Sequence, residues 1–188
     1  MSDPALETRR AFGVLFAGVS AAVFAGATLS ELAFQNNAPF YYYAVIWVGS
    51  FGATFGVAWP RFRKAMPAIR ERMKNSVRWS AGAKALNGIC WAGPFASIAA
   101  FPSLYQYLIL LGIGLGNLST YLMMKKYSRL DNREQLIVAA ISLAALPAAL
   151  AIDTSLFADH QDVAVMLSRM LIALAYGAGG TFALLARE

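Results

Sequence analysis

Residues 9–34 read RRAFGVLFAGVSAAVFAGATLSELAF, two arginines followed by a long apolar run. The run from Ala11 to Phe34 has 24 residues, whereas an α-helix needs about 20 residues to cross the hydrocarbon core of a bilayer. A secretory signal peptide also places basic residues before an apolar segment, but that segment has only about 7–15 residues. The stretch therefore predicts an uncleaved first membrane span.

Five further apolar stretches of similar length follow, so the sequence predicts six membrane spans. These stretches do not alternate polar and apolar residues as strands would. The predicted spans are Ala11–Ala33, Tyr41–Trp59, Ala81–Phe101, Leu104–Met124, Gln135–Ile152 and Val163–Ala186. No Pro-, Ser- or Gly-rich linker divides the chain, which indicates a single transmembrane domain over residues 1–188.

The composition is typical of a chain whose solvent is largely lipid. Of the 188 residues, 59% are hydrophobic and 14% are charged, against about 45–50% and about 25% in soluble domains. A net charge of +6 would suit a nucleic-acid binder, but such a protein concentrates its basic residues on a water-exposed domain. The sequence offers no such domain, so we expect no nucleic-acid partner.

The basic residues lie in every second gap between the predicted spans. Fourteen of the sixteen Lys and Arg residues precede span one, separate spans two and three or four and five, or follow span six. The other gaps, residues 35–39, 102–103 and 153–162, contain none. Because Lys and Arg accumulate in cytoplasmic loops, the sequence predicts three hairpins with both termini cytoplasmic, in the plasma (inner) membrane of the cell.

The gap between spans two and three is long enough to form a helix of its own. Between Met66 and Val77, apolar residues recur at spacings of three and four, which places them on one helical face. The basic residues beside this face are Arg70, Arg72, Lys74 and Arg78. The pattern predicts a basic amphipathic helix on anionic lipid headgroups, or alternatively a docking helix for a partner protein. The predicted fold is thus an all-α integral membrane protein with six transmembrane helices and one interfacial helix.

Small residues at four-residue spacing indicate how the spans pack, because small side chains let helix backbones approach closely in lipid. The predicted packing positions are Gly18, Ala22, Gly26, Gly52, Gly56, Gly112 and Gly116. These positions serve packing within the chain or, alternatively, an interface with a second copy or with a larger membrane complex.

Ionisable residues inside a membrane span are costly and mark functional sites. Arg169 lies about two turns inside span six, Glu31 lies near the end of span one, and Asp153 closes span five. Together they predict a binding site for a small polar or anionic solute, reached from outside, with Arg169 as the cation. The alternatives are a structural ion pair and an arginine that extends to the lipid headgroups.

Asn117 is a further candidate, because it lies deep in span four and is followed by Ser119 and Thr120. It either hydrogen-bonds a neighbouring helix or lines a polar path with those hydroxyl groups. Lys84 and Asn87 share one face of span three, where Lys84 can extend to the cytoplasmic surface.

The sequence offers little for catalysis or cofactor binding. One histidine, His160, and one cysteine, Cys90, exclude multi-His and Cys-based metal sites and an intramolecular disulfide. No histidine within a span accompanies Ser20, as an intramembrane serine protease would require. We therefore expect no enzymatic activity, no cofactor and no metal. Two functions remain: small-solute binding or permeation, and a non-catalytic accessory subunit of a larger membrane complex.

The chain length, the six predicted spans and the cytoplasmic termini resemble those of the substrate-capturing subunits of energy-coupling-factor vitamin transporters. Those subunits dock through an alanine ridge, and Ala17, Ala21 and Ala25 are similar in kind. The three-hairpin pattern equally resembles small acid-stress membrane proteins of the same size. Both resemblances are architectural, and no binding-loop motif of either group matches this sequence.

Overall fold

The structure, a computed structural model, describes residues 4–75, 79–129, 131–156 and 158–185. All regular structure in these residues is helical. The six α-helices are α1 (Pro4–Gln35), α2 (Tyr41–Asn75), α3 (Ala81–Ser97), α4 (Tyr105–Ser128), α5 (Arg133–Leu156) and α6 (Gln161–Leu184). A single 3₁₀ turn, Pro102–Leu104, precedes α4.

Local chemistry sets where several helices begin and end. Ser80 Oγ accepts a hydrogen bond from the Ala83 backbone N–H at 3.2 Å and so caps the start of α3. After α4, Arg129 adopts a left-handed conformation with φ 52°, which turns the chain toward α5. Asn37, with φ 51°, has the same conformation between α1 and α2, and asparagine tolerates it better than most residues. Both turns reverse the chain within a few residues.

The helices pack in the spatial order α2, α1, α6, α5, α4, α3. Helices α1 and α2, α3 and α4, and α5 and α6 are packed pairs, and contacts of α1 with α6 and of α4 with α5 join these pairs. Helices α2 and α3 stand at the two ends of this order, and each has one extensively packed neighbour. We call the end of the bundle where α1, α3 and α5 finish the distal end, and the end where they begin the proximal end.

Glycines allow α1 and α6 to pack with their backbones in contact, and we call this contact the α1–α6 seam. A Cβ atom built on Gly180 would lie 2.7 Å from the Ala17 backbone nitrogen and 3.1 Å from the Gly13 carbonyl oxygen. The Ser20 hydroxyl donates a hydrogen bond to the Ala173 carbonyl oxygen at 2.6 Å across the seam. The seam is therefore closed to any larger side chain at these positions.

Most of the small residues predicted to pack helices lie against a neighbouring helix. A Cβ atom on Gly26 would be 2.9 Å from the Trp47 ring of α2, and one on Gly116 would be 2.3 Å from the Trp91 ring of α3. Gly18 and Gly112 lie in similar contacts with a neighbouring helix. Ala22 is fully buried. These positions bring α1 close to α2 and α4 close to α3.

Gly52 and Gly56 are placed differently from the others. In the described part of the chain, no side chain or neighbouring backbone lies within 4 Å of a Cβ atom built on either residue, and the same holds for Gly49. Val45 and Val48, on the same side of α2, are 64% and 74% exposed. This outward face of α2, residues 45–56, points away from the rest of the bundle.

Four of the helices are long and apolar enough to cross a membrane, over residues 6–35, 102–128, 133–156 and 161–184. Among the described residues, α2 and α3 are not in this group. Predicted span three extended to Phe101, but α3 ends at Ser97 after 17 residues. At a rise of 1.5 Å per residue this helix is about 26 Å long, shorter than a hydrocarbon core of about 30 Å.

The surface of the bundle is also apolar. Phe24, Leu150 and Leu174 are each more than half exposed. Large apolar side chains on the outside of packed, membrane-length helices are compatible with a membrane protein. The structure thus supports an all-helical protein with four apolar helices of membrane length.

A separate interfacial helix is not seen in the described residues between α2 and α3. The α2 backbone continues through Pro60 and Pro67 to Asn75 as one helix of 35 residues. That helix is about 52 Å long at 1.5 Å per residue, so the basic stretch extends α2 beyond the thickness of a bilayer core. The predictions for this stretch that fall outside the described residues concern the side chains of Arg70, Arg72 and Lys74, and the whole of Arg78.

Candidate functional site

A cavity of about 220 Å³ opens at the distal end between α1, α2 and α6. Its polar and aromatic lining residues are Ser30, Glu31, Phe34, Tyr43, Asp162 and Arg169. Sites for drug-sized ligands have volumes of about 300–1,000 Å³. The distal cavity therefore suits a solute smaller than a typical drug-sized ligand.

Helical periodicity explains why these side chains share one cavity. The lining residues of α1 are Ala27, Ser30, Glu31 and Phe34. The lining residues of α6 are Asp162, Val165, Met166 and Arg169. In both sets the spacing is i, i+3, i+4 and i+7, which places the four side chains on one helical face. Two helices thus present matched faces to the cavity.

Two acidic residues line the distal cavity. The Glu31 side chain is 9% exposed and lines the same cavity as the side chain of Asp162. Gln35 Nε2 donates a hydrogen bond to Glu31 Oε1 at 2.8 Å. Both carboxyl groups thus share the cavity with the Arg169 guanidinium.

Arg169 is held in place by aromatic residues. Its guanidinium carbon is 5.5 Å from the centroid of the Trp47 ring, a cation–π distance, and the side chain also interacts electrostatically with Tyr105. Of the two ion pairs found within 4.0 Å among the described residues, neither involves Arg169. Arg169 therefore lines the cavity without a direct salt bridge.

Asp153 lies beside the distal cavity but is not among its lining residues. It accepts a hydrogen bond from the Tyr107 hydroxyl. It also interacts electrostatically with Tyr105, which in turn interacts with Arg169. Of the predicted site residues, the structure thus brings Glu31 and Arg169 into one cavity and places Asp153 next to it.

Asn117 belongs to a different part of the bundle. Its side chain is 2% exposed, and Nδ2 donates a hydrogen bond to the Ile113 carbonyl oxygen of its own helix at 2.9 Å. The side chain also interacts with the side chain of Tyr176 of α6. Asn117 therefore links α4 to α6 and does not line the distal cavity.

The hydroxyl groups that follow Asn117 bind α3. Asn87 Nδ2 donates to Ser119 Oγ at 2.9 Å and to Thr120 Oγ1 at 2.8 Å. Trp91 Nε1 donates to the same Thr120 oxygen at 3.1 Å. These hydrogen bonds join α3 to α4.

Three lining residues, Ser30, Tyr43 and Asp162, were not singled out by sequence reasoning. Ser30 is 2% exposed, and its Oγ has no hydrogen-bond partner among the described residues. It is one of several buried side-chain atoms without a partner in the described chain, and it is the one that lines this cavity. The sequence did contain a signal for Asp162, because it precedes Arg169 by seven residues and therefore lies on the same helical face.

A second charged cluster, the proximal ion pair, joins the start of α1 to the start of α5. Arg9 Nε lies 3.7 Å from Glu134 Oε2, and Glu134 is 1% exposed. The Arg9 guanidinium carbon is 4.7 Å from the centroid of the Phe182 ring. A Cβ atom on Gly179 would lie 2.9 Å from the Glu134 carbonyl oxygen, so α6 packs closely against the backbone at Glu134.

The connection between α4 and α5 carries an exposed ion pair. Arg133 Nε donates a hydrogen bond to Asp131 Oδ2 at 2.7 Å, and the Tyr121 hydroxyl donates to Oδ1 at 3.0 Å. The Arg133 hydrogen bond, followed by that of Tyr121, lowers the pKa of Asp131 from its usual 3.8. This pair lies outside the membrane-length segments.

Comparisons of the chain with known protein families, with curated proteins and with solved structures gave no match. Within the residues that the structure describes, no group of three or more His, Cys, Asp or Glu side chains could hold a metal ion. The distal cavity and the charge pattern of the chain are the features that bear on its function.

Proposed function

We propose that this chain is a six-span plasma-membrane protein whose distal cavity binds a small polar solute. The basic residues support the orientation, because fourteen of sixteen lie in the gaps that adjoin the proximal end. By the positive-inside rule, the proximal end and both termini then face the cytoplasm. The distal cavity opens to the outside in this orientation, and α2 and α3 cross the membrane with the other four helices.

The observation that carries this proposal is the unpartnered oxygen of Ser30 in a cavity that also contains charged groups. Around a structural ion pair, packed side chains normally leave no open cavity. At the distal end, about 220 Å³ stays open beside Glu31, Asp162 and Arg169. A polar solute in this space would give Ser30 a hydrogen-bond partner and would meet charges that are already in position.

We propose binding or permeation as the activity, without catalysis. A catalytic serine needs an adjacent general base that hydrogen-bonds its hydroxyl. Ser30 Oγ has no such partner in the described chain, and no histidine or cysteine lines the cavity. The cavity is therefore equipped to hold a polar molecule and lacks the arrangement of an activated nucleophile.

The substitution Arg169→Ala tests the proposal. The wild-type protein and the variant would be purified in lipid nanodiscs and titrated calorimetrically with small cationic, anionic and neutral solutes. We expect the wild type to bind at least one solute and Arg169→Ala to lose that binding while it keeps its helical circular dichroism. Lys84→Ala is the matched control, because Lys84 is exposed on α3 and lies outside the cavity. An unchanged isotherm for Arg169→Ala would refute the site.

The outward face of α2 supports a second candidate, an accessory subunit of a larger membrane complex. Gly49, Gly52 and Gly56 leave this face flat, and flat glycine surfaces allow close helix contacts in lipid. A native mass spectrum after gentle extraction from the source membrane distinguishes the candidates. The accessory-subunit candidate predicts a companion protein at fixed stoichiometry in the wild-type spectrum and its loss in the spectrum of Gly52→Leu. The solute-site candidate predicts that the chain alone carries the additional mass of a small molecule.

A further inference from the structure

We propose that the distal cavity binds a small zwitterion, a molecule whose ammonium and carboxylate groups are joined by a short carbon chain. Its carboxylate meets Arg169, and its ammonium group meets Glu31 and Asp162. The inference rests on the proposed function, since it names the chemical class of the solute for that same cavity. It goes beyond the anion that Arg169 alone indicates. The placement of the charged groups, the aromatic lining and the buried hydroxyl support it.

Charged groups of both signs line the distal cavity without a salt bridge between them. Arg169, Glu31 and Asp162 all belong to the lining, yet the two ion pairs found in the described part of the chain join other residues. A charge in a partly buried space is costly unless an opposite charge compensates it. A molecule that carries both charges compensates the guanidinium and the carboxylates at once. Opposite charges kept apart in one cavity therefore favour a zwitterion.

The charged residues also follow an order along the cavity. Helix α6 begins at the distal end, and Asp162 lies in its first turn. Arg169 follows seven residues later, about 10 Å farther along the helix at 1.5 Å per residue. Glu31 is four residues from the distal end of α1, or about 6 Å. Both acidic positions thus lie nearer the opening than the arginine, which places the ammonium group of the solute outward and its carboxylate inward.

The aromatic residues of the lining lie at the same end of the cavity as the acidic residues. Phe34 is the penultimate residue of α1, and Tyr43 lies in the first turn of α2, which begins at the distal end. Aromatic rings attract ammonium groups through their negative faces. The outer part of the cavity therefore combines carboxyl and aromatic groups, and both attract an ammonium ion.

The buried hydroxyl of Ser30 suits either end of such a solute. Ser30 is 2% exposed, and its Oγ has no hydrogen-bond partner among the described residues. A hydroxyl both donates and accepts hydrogen bonds, so Ser30 can donate to the carboxylate of the solute or accept from its ammonium group. A bound zwitterion thus supplies a partner for this oxygen in either position.

Solutes with one charge or none fit this lining less well. An anion would meet Arg169 but would also face two carboxyl groups, and repulsion in a partly buried space is stronger than in water. A cation would leave the guanidinium without an anionic partner and would not account for the loss of binding expected in Arg169→Ala. A neutral amide compensates neither charge.

Six probes at neutral pH test the inference. Three are zwitterions with carbon chains of increasing length: glycine, β-alanine and 4-aminobutyrate. The other three are close to β-alanine in size and lack one or both of its charges: propionate, propylammonium and propionamide. Calorimetric titration of the wild-type protein in nanodiscs should show that the best zwitterion binds at least tenfold more tightly than each of these three.

The titrations separate failure of the inference from failure of the proposed function. A singly charged or neutral probe whose affinity lies within tenfold of that of the best zwitterion would overturn the inference and would leave the solute-binding proposal standing. No binding of any of the six probes at millimolar concentration would count against both.

Variants that remove one sign of charge test which end of the solute meets which residues. Arg169→Ala should weaken binding of the best zwitterion at least tenfold and should bind propylammonium more tightly than the wild type does. The double substitution Glu31→Gln with Asp162→Asn should weaken the zwitterion similarly and should bind propionate more tightly. A damaged cavity would instead lower the affinity for every probe. Equal losses for all probes would therefore overturn the assignment.

Ser30→Ala is a milder test, because it leaves all three charged groups in place. It should weaken binding of the best zwitterion by about tenfold, the value of one hydrogen bond to a charged group. Unchanged affinity would contradict the inference, since the hydroxyl would still lack a partner. Asp159→Asn, which changes an exposed carboxylate of the distal connection, is the matched control and should bind every probe as the wild type does. Circular dichroism and gel filtration of each variant establish that a loss of binding does not arise from unfolding.

Discussion

The distal cavity and the proximal ion pair contain the same kinds of residue in opposite surroundings. Each end has a glutamate that is at most 9% exposed, Glu31 or Glu134, and an arginine against an aromatic ring, Arg169 on Trp47 or Arg9 on Phe182. At the proximal end, α6 packs at Gly179 against the backbone of the glutamate. At the distal end, about 220 Å³ remains open beside it.

If the distal cavity binds a solute, as proposed, then charges inside a helical bundle do not by themselves distinguish a binding site from a structural ion pair. The two ends differ in the packing beside the charged groups. At the proximal end, α6 lies so close to α5 that a Cβ atom on Gly179 would be 2.9 Å from the Glu134 carbonyl oxygen. At the distal end, Val165 and Met166 of α6 line an open cavity. A structural role and a binding role thus depend on the spacing of the helices around the charge.

The largest effect is expected from Glu134→Ala at the proximal end. Removing one partner of a buried ion pair leaves the other charge without compensation, and Arg9 is partly exposed, so we expect a loss of about 3 kcal/mol in the free energy of unfolding. Arg169→Ala, at the distal end, should cost no more than about 1 kcal/mol, which is the value of a partly exposed cation–π contact. Unfolding in mixed detergent micelles, followed by circular dichroism, measures both.

The comparison breaks if the two variants lose similar stability. Equal losses would mean that the distal arginine also stabilises the fold. Water in the distal cavity would then not compensate the charged groups that Arg169 leaves behind. Lys84→Ala serves as the baseline here, because this exposed lysine should change the free energy of unfolding by less than about 0.5 kcal/mol.

A smaller effect is expected at the α1–α6 seam, which lies between the two ends. In Gly180→Ala the new methyl group would meet the Ala17 backbone at 2.7 Å, and backbone cannot move away as a flexible side chain can. Such overpacking costs about 2 kcal/mol. Gly52→Ala is the matched control on the outward face of α2, where no neighbour is found within 4 Å among the described residues. A similar loss in both variants would show that helix propensity or lipid contact decides the effect, and not the seam.

The sequence predicted the helical class from local information alone. Apolar length and the absence of alternation are properties of single segments, so α1, α4, α5 and α6 follow from them directly. The long α2 and the short α3 were harder to predict, because helix ends depend on individual residues. Pro60 and Pro67 stay inside α2, although proline usually ends a helix.

The candidate site was predictable only in part. Glu31 and Arg169 stood out because a charge within an apolar span is conspicuous. Ser30 and Asp162 did not, since a serine is ordinary in a membrane helix and Asp162 lies at the start of α6 within an acidic connection. Their importance depends on which faces of α1 and α6 meet, and the sequence gives no information on that contact.

The smallest effect on stability is expected at Asp131. Because this residue is exposed, its substitution tests the effect of a charge that is not buried. Its pKa is lowered by the hydrogen bond from Arg133 and then by that from Tyr121. Because the folded-state pKa lies below the usual value of 3.8, the ionised side chain stabilises the fold above that value and the contribution is lost as the pH falls through the folded-state pKa. The melting temperature of Asp131→Asn should therefore be slightly below that of the wild type at pH 7, and the two should converge in acid. A difference that grows in acid would mean that the protonated form of Asp131 is the one the fold prefers, and the contrast between buried and exposed charge would then need a different explanation.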